Sequence, residues 1–137
     1  MIETRINYEG ELHCSALHVP SGNVIATDAP VDNNGRGEAF SPTDLVATAL
    51  GACMATVMGI VAKRKDVELA GMKITVHKEM STDAPRRIIA LPVFITMPIV
   101  ETHVIAPLLQ AAVHACPVHH SIHPDIDVPI VWVWRQE

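Results

Sequence analysis

The sequence predicts one α+β domain, and three observations predict it. Short runs of alternating polar and apolar residues fill the first part of the chain and return later. A long segment between them is helical in pattern and carries no charge from Leu45 to Ala62. A second helical pattern and a final β-rich run close the chain. Period-2 alternation marks half-buried strands, and longer apolar stretches with capping signals mark helices. At 137 residues the chain has the length of one domain, able to bury a core without crosslinks. We therefore expect residues 1–137 to form a single domain.

Thr4–Tyr8 and Glu11–Leu17 alternate as strands. Pro20-Ser21-Gly22-Asn23 is a turn signal, and Val24–Thr27 follows as a short strand. Together they predict an antiparallel meander. Residues 28–40 contain Pro30, Asn33-Asn34-Gly35 and Gly37. They read as a loop, long for a small domain, and such loops often carry function.

Ser41-Pro42-Thr43-Asp44 is a helix start: Ser41 as N-cap, Pro42 in the first turn, Asp44 completing an acidic capping pattern. The helix should run to Lys63-Arg64-Lys65, roughly 36 Å at 1.5 Å per residue. Cations are favourable at that end for local reasons. The uncharged run is long enough to span a membrane. However, much of it is Ala, Gly, Thr and Cys, which contribute little transfer energy, so we expect no membrane. A helix without a polar face is buried all round. A chain this short has difficulty covering it alone. This predicts a homodimer with the helix near its centre, where Gly51, Ala52, Ala55 and Gly59 allow close approach.

Met72–Met80 and Ile88–Met97 read as strands, with Pro92 placing the second at an edge or bulge. Glu101–His114 is helical in pattern, with Pro107 marking an alternative start. Val128–Trp134 reads as the last strand.

The formal net charge is −5, from 10 basic and 15 acidic residues, which argues against a nucleic-acid surface. Met1–Glu11 is polar and alternating, unlike a secretory leader. Three cysteines make no disulfide framework, so a reducing cytoplasm is expected.

Cys53 falls in the middle of the uncharged helix. There it is either a small core residue or a reactive thiol. Cys116 precedes Pro117, which favours a first helical turn. It should sit where one helix ends and a short one begins, and amides at such an end lower a thiol pKa. Packing in the core is the alternative. Cys14 shares a strand face with Leu12 and Ala16 and reads as structural. His119, His120 and His123 crowd the segment after Cys116, but the spacing matches no closed zinc motif, so no metal is expected. An imidazole there is a candidate base or cation for Cys116. No phosphate loop, serine elbow or His-Glu-x-x-His motif is present.

The run Ser41-Pro42-Thr43-Asp44-Leu45-Val46-Ala47-Thr48-Ala49-Leu50-Gly51-Ala52-Cys53 resembles the helix that carries the reactive cysteine in OsmC/Ohr proteins. Cys116-Pro117-Val118-His119-His120-Ser121-Ile122 resembles that family's second-cysteine segment. The resemblance implies an intertwined homodimer, with antiparallel sheets wrapped around two long central helices. It also implies thiol-dependent reduction of organic hydroperoxides or hydrogen peroxide, without a cofactor. Cys53 would be the thiolate that attacks the peroxide and becomes a sulfenic acid. Cys116 would condense with it to a disulfide, and an external dithiol would reset the pair. In the well-studied branches an Arg, held by a Glu at the helix start, offsets the desolvation of the thiolate. Thr43 stands where that Glu is expected, which makes this chain a divergent branch. Asp44 and Glu38 are the nearest acids, and Arg36 or Arg5 the candidate cation, with Arg36 and Asp44 preferred. A second class of function is a small-molecule-binding or redox-sensing dimer of the same fold.

Overall fold

The computed structural model describes all 137 residues, in two compact units, Met1–Val46 and Ala47–Glu137. The first unit is built on a meander of β1 (Thr4–Gly10), β2 (His13–His18) and β3 (Val24–Asp28), paired antiparallel in that order. Register sets one face: Ile6 opposes Ala16, which opposes Ile25, and Tyr8 opposes Cys14, which opposes Thr27.

Glu11 and Leu12, expected in the second strand, instead make the turn between β1 and β2. Gly10, Glu11 and Leu12 have φ of 86°, 53° and 61°. Left-handed backbone is costly for side chains other than glycine. Here it is held by hydrogen bonds, from the Leu12 amide to the Tyr8 hydroxyl at 3.3 Å and from the Ala29 amide to the Leu12 carbonyl at 3.1 Å. Alternation in the sequence ran across this turn because Leu12 falls in phase with the strand beyond it.

Residues 29–40 form the expected loop, with a single 3-10 turn at Val31–Asn33. The loop closes onto its own base, since the Asp28 amide donates to the Phe40 carbonyl at 3.1 Å. Helix α1 (Pro42–Arg64) then begins as expected. The Asp44 amide donates to the Ser41 hydroxyl at 3.1 Å, and the Ser41 amide donates to the Asp44 carboxylate at 2.9 Å. This is a capping box, each residue satisfying the other's orphan amide. Replacing Ser41 with Ala should cost about 1 kcal/mol, read as a lower urea midpoint at unchanged slope. The far end of α1 is a Schellman turn around Asp66, at φ 55°. The Val67 amide reaches the Ala62 carbonyl at 2.9 Å and the Asp66 amide the Lys63 carbonyl at 3.2 Å.

The second unit holds a sheet of β4 (Lys73–Val76), β7 (Val93–Val100) and β8 (Ile130–Arg135), in that order. β5 (Glu79–Met80) and β6 (Ile88–Ala90) form a separate two-stranded ribbon. The two strands read at 72–80 and 88–97 are thus each split, the second at Leu91-Pro92, where proline interrupts pairing. β4 runs antiparallel to β7, but β8 runs parallel to it, a difference from the all-antiparallel expectation. The reason is the connection. Between them lie α2 (Ala106–His114) and α3 (Pro117–Ser121), and a helical crossover returns the chain in the same direction. α2 starts at Pro107's turn rather than at Glu101.

Ile74 and Val76 of β4 lie opposite Ile95 and Val93 of β7, which in turn face Trp132 and Ile130 of β8. α1 crosses this face at Gly51, whose missing side chain would sit 3.0 Å from the Val76 methyl. Leu50, Met54, Met58, Leu91, Val93, Ile95, Leu109 and Val113 are fully buried with it.

Only one stripe of α1 is buried: Ala47, Leu50, Gly51, Met54, Met58 and Ala62. The helix is long and apolar enough to cross a membrane, but this stripe makes it a core helix. In the single chain Thr48, Ala49, Ala52, Thr56 and Ile60 are exposed along the opposite side, the part that a partner was expected to cover. One chain supplies packing for half of the helix circumference.

Candidate active site

α1 holds Cys53 part-way between its buried and exposed stripes, so the side chain is half-buried. Cys116 is the hinge residue between the last two helices. It follows Ala115, the C-cap of α2, and is the N-cap of α3, with Pro117 in the first turn. This is the placement expected from Cys-Pro. The Cys116 side chain is wholly buried.

Both cysteines are free thiols, and Cys53 is near enough to Cys116 to perturb its titration. Burial pushes the Cys116 thiol up from its ordinary value, and Cys53 adds to the rise. The backbone amides of His119 and Val118 point at the same sulfur and pull partly back. The amide effect anticipated from the sequence is therefore present but outweighed by burial. Chemically, two neighbouring free thiols, one half-exposed and one sealed, are candidates for a thiol–disulfide couple.

The other expected site residues belong to the first unit. Asp44 is the capping-box acid described above. It precedes Cys53 by nine residues on the same helix. Thr43 hydrogen-bonds to the Ser41 hydroxyl at 3.2 Å. Arg36 reaches back across the loop and donates to the Glu11 carboxylate at 2.8 Å. Arg5 pairs with Glu3 at 2.7 Å on the surface of β1. Cys14 is half-buried in β2, opposite Tyr8 and Thr27.

The histidines sort differently from the sequence grouping. His123 stands by Asp125, whose amide donates to its ring at 3.1 Å. His114, from the end of α2, joins His119 and His120 instead. Ring centroids are 6.5 Å apart from His114 to His119 and again from His119 to His120. No three ligand-type side chains are arranged to hold a metal ion. His114 lies five residues before His119, a spacing without a helical face signal, so sequence reasoning had no reason to include it.

A second cluster, in the first unit, was missed. Asp28 is a buried carboxylate. His13 Nδ1 lies 2.6 Å from one of its oxygens, and the Glu38 amide donates to the other at 3.1 Å. The signal was available in part, since a His and an Asp at facing strand positions form a cross-strand pair. The hydrogen bond with His13 is the main cause holding the Asp28 carboxyl below its usual 3.8. A carboxyl depressed in the folded state stabilises above its unfolded pKa and loses that contribution as pH falls through the folded one. Acid unfolding should therefore steepen below about pH 3.8, and His13→Asn should flatten the curve there, as read by circular dichroism against pH.

An α+β fold with a thiol pair between a core helix and a Cys-Pro helix start defines a small class of proteins. The family model for OsmC-like protein matches residues 35–131, and the chain belongs to that family. It is similar to the crystal structure of a protein from Psychrobacter arcticus 273-4 named for an osmotic-stress-induced and detoxification response. That chain is 42% identical, covered at 96% of both chains, with a TM-score of 0.90. An organic hydroperoxide resistance protein OsmC from Legionella pneumophila shares the fold at 18% identity, over 97% of this chain and 96% of that one, with a TM-score of 0.76. An organic hydroperoxide resistance protein from Elizabethkingia anophelis does so at 16% identity, over 98% and 96%, with a TM-score of 0.78. Among curated proteins none matches this chain.

Proposed function

We propose that this protein is a thiol-dependent peroxidase acting on organic hydroperoxides or hydrogen peroxide. The observation that carries the reading is the pair of neighbouring free thiols, Cys53 half-exposed and Cys116 sealed. The Cys53 thiolate attacks one peroxide oxygen. The O–O bond breaks, the other oxygen leaves as alcohol or water with a proton, and Cys53 is oxidised to the sulfenic acid. Cys116 then attacks the Cys53 sulfur. The S–O bond breaks, the Cys116 proton goes to the departing hydroxide as water, and a disulfide forms. An external dithiol reduces it by exchange and is itself oxidised to a disulfide. Residues 1–137 act as one domain in the cytoplasm, with no cofactor. Arg36 and Asp44 are retained as supporting residues: Asp44 fixes the start of the helix that carries Cys53, and Arg36 is the cation on the preceding loop.

The working form is a homodimer. The uncharged exposed stripe of α1, from Thr48 to Ile60, is the surface that a second copy covers. Sedimentation should give twice the mass of 14.9 kDa. The names of the Legionella and Elizabethkingia structures support a peroxide role by analogy of fold.

The test is to add cumene hydroperoxide to the fully reduced protein and count free thiols. Two should disappear per chain, with Cys14 remaining. If none disappears, the reading fails. A second reading, a redox sensor that is oxidised once and resets slowly, is favoured by the complete burial and raised pKa of Cys116. Steady-state consumption of peroxide with a dithiol donor separates the two.

A further inference from the structure

His114, His119 and His120 form a row of imidazoles around the Cys116 turn, and none of them is paired with a carboxylate. Elsewhere in the chain His13 has Asp28 and His123 has Asp125. The row spans the junction: His114 ends α2, His119 and His120 lie in α3, and Cys116 sits between. Exposure is graded, with His119 half-buried and His114 and His120 at the surface. The His120 backbone amide donates to the Cys116 carbonyl at 3.1 Å, which ties α3 to the cysteine. Anything that displaces α3 therefore loosens the grip on Cys116.

We propose that this uncompensated histidine row is an acid-operated release for the Cys116 turn. Neutral imidazoles let α3 pack with Cys116 sealed. Protonated ones set like charges beside one another at the junction, and α3 moves out, exposing the cysteine.

The charged groups facing His119 are His114 from α2 and His120 from α3. Burial, then each of these, holds the His119 imidazole below its usual 6.5. The sign follows. The open turn takes up protons more readily than the closed one, so closure is favoured above about pH 6.5 and weakens as pH falls below it. No carboxylate at the junction opposes this.

The release concerns access to Cys116 and needs no peroxide chemistry, so it stands or falls apart from the peroxidase reading. The experiment uses full-length protein carrying Cys14→Ser and Cys53→Ser, leaving Cys116 as the single thiol. Its rate with 4,4′-dithiodipyridine is measured from about pH 7.5 to 5 and divided by that of N-acetylcysteine at each pH, which removes the intrinsic dependence of the reagent. The ratio should rise roughly tenfold on acidification, with far-UV circular dichroism unchanged, as expected for local opening. His119→Gln should give a flat ratio. His120→Lys, which fixes a charge in the row, should raise the ratio at pH 7.5. A flat ratio in the parent, an equal rise in His119→Gln, or a rise that tracks loss of helicity would each overturn the proposal.

Discussion

Cys53→Ser should abolish peroxide consumption, a loss on the order of a thousandfold or more, because no other group takes over as nucleophile. Serine is close in size and the helix position is half-buried, so the fold should survive. Cys116→Ser should behave differently. The first oxidation should proceed at the parent rate, and the sulfenic acid at Cys53 should then persist, since the sulfur that would condense with it is gone. Dimedone labelling followed by intact mass measures this directly. The parent should label weakly, Cys116→Ser strongly and Cys53→Ser not at all. Equal labelling of parent and Cys116→Ser would mean that the two thiols do not act together. The asymmetry rests on exposure: Cys53 meets solvent at its edge, while Cys116 is sealed.

Leu50→Ala should cost about 3 kcal/mol of stability, lowering the thermal midpoint by on the order of 10 °C. Leu50 has no exposed surface and lies on the stripe of α1 with Met54 and Met58, both also fully buried. The surrounding side chains belong to a helix and a sheet that cannot collapse into the gap, so both the lost transfer energy and the cavity count. Ala49→Ser, one residue earlier on the exposed side, should change stability by less than about 0.5 kcal/mol. Chemical unfolding of the two variants side by side checks the burial of one stripe against the other.

The features legible in the sequence were those set by local chemistry. Ser41 and Asp44 announced a capping box, and the structure closes it in both directions. Cys116-Pro117 announced a helix start, and Cys116 is the N-cap. The meander and its alternating faces followed from period alone. What escaped depended on distant partners. Nothing in Val128–Trp134 states which strand it joins or in which direction, so the parallel pairing with β7 was invisible. Leu12 had the right polarity for a strand, and only its bonds to Tyr8 and Ala29 make it a turn. The absence of charge in α1 was read as burial on every side, but lack of charge does not say which chain does the covering. At the site, the sequence singled out Cys53 and Cys116, and both are free thiols. His114 was not grouped with His119, since their proximity arises from the bend at Cys116 rather than from any helical period.

The parallel pairing of β8 with β7 also constrains the order of events at birth. The segment carrying Cys116 lies between these two strands in the chain. Ile130, Val131 and Trp132 leave the ribosome after it, and they are the residues that pair with Val93, Phe94 and Ile95. Until they emerge, the crossover has no second strand to anchor its return, and β7 keeps an open edge. Domains fold as units during synthesis, and pairings between distant segments form late. The turn that holds Cys116 is therefore anchored on both sides only when the final strand has paired.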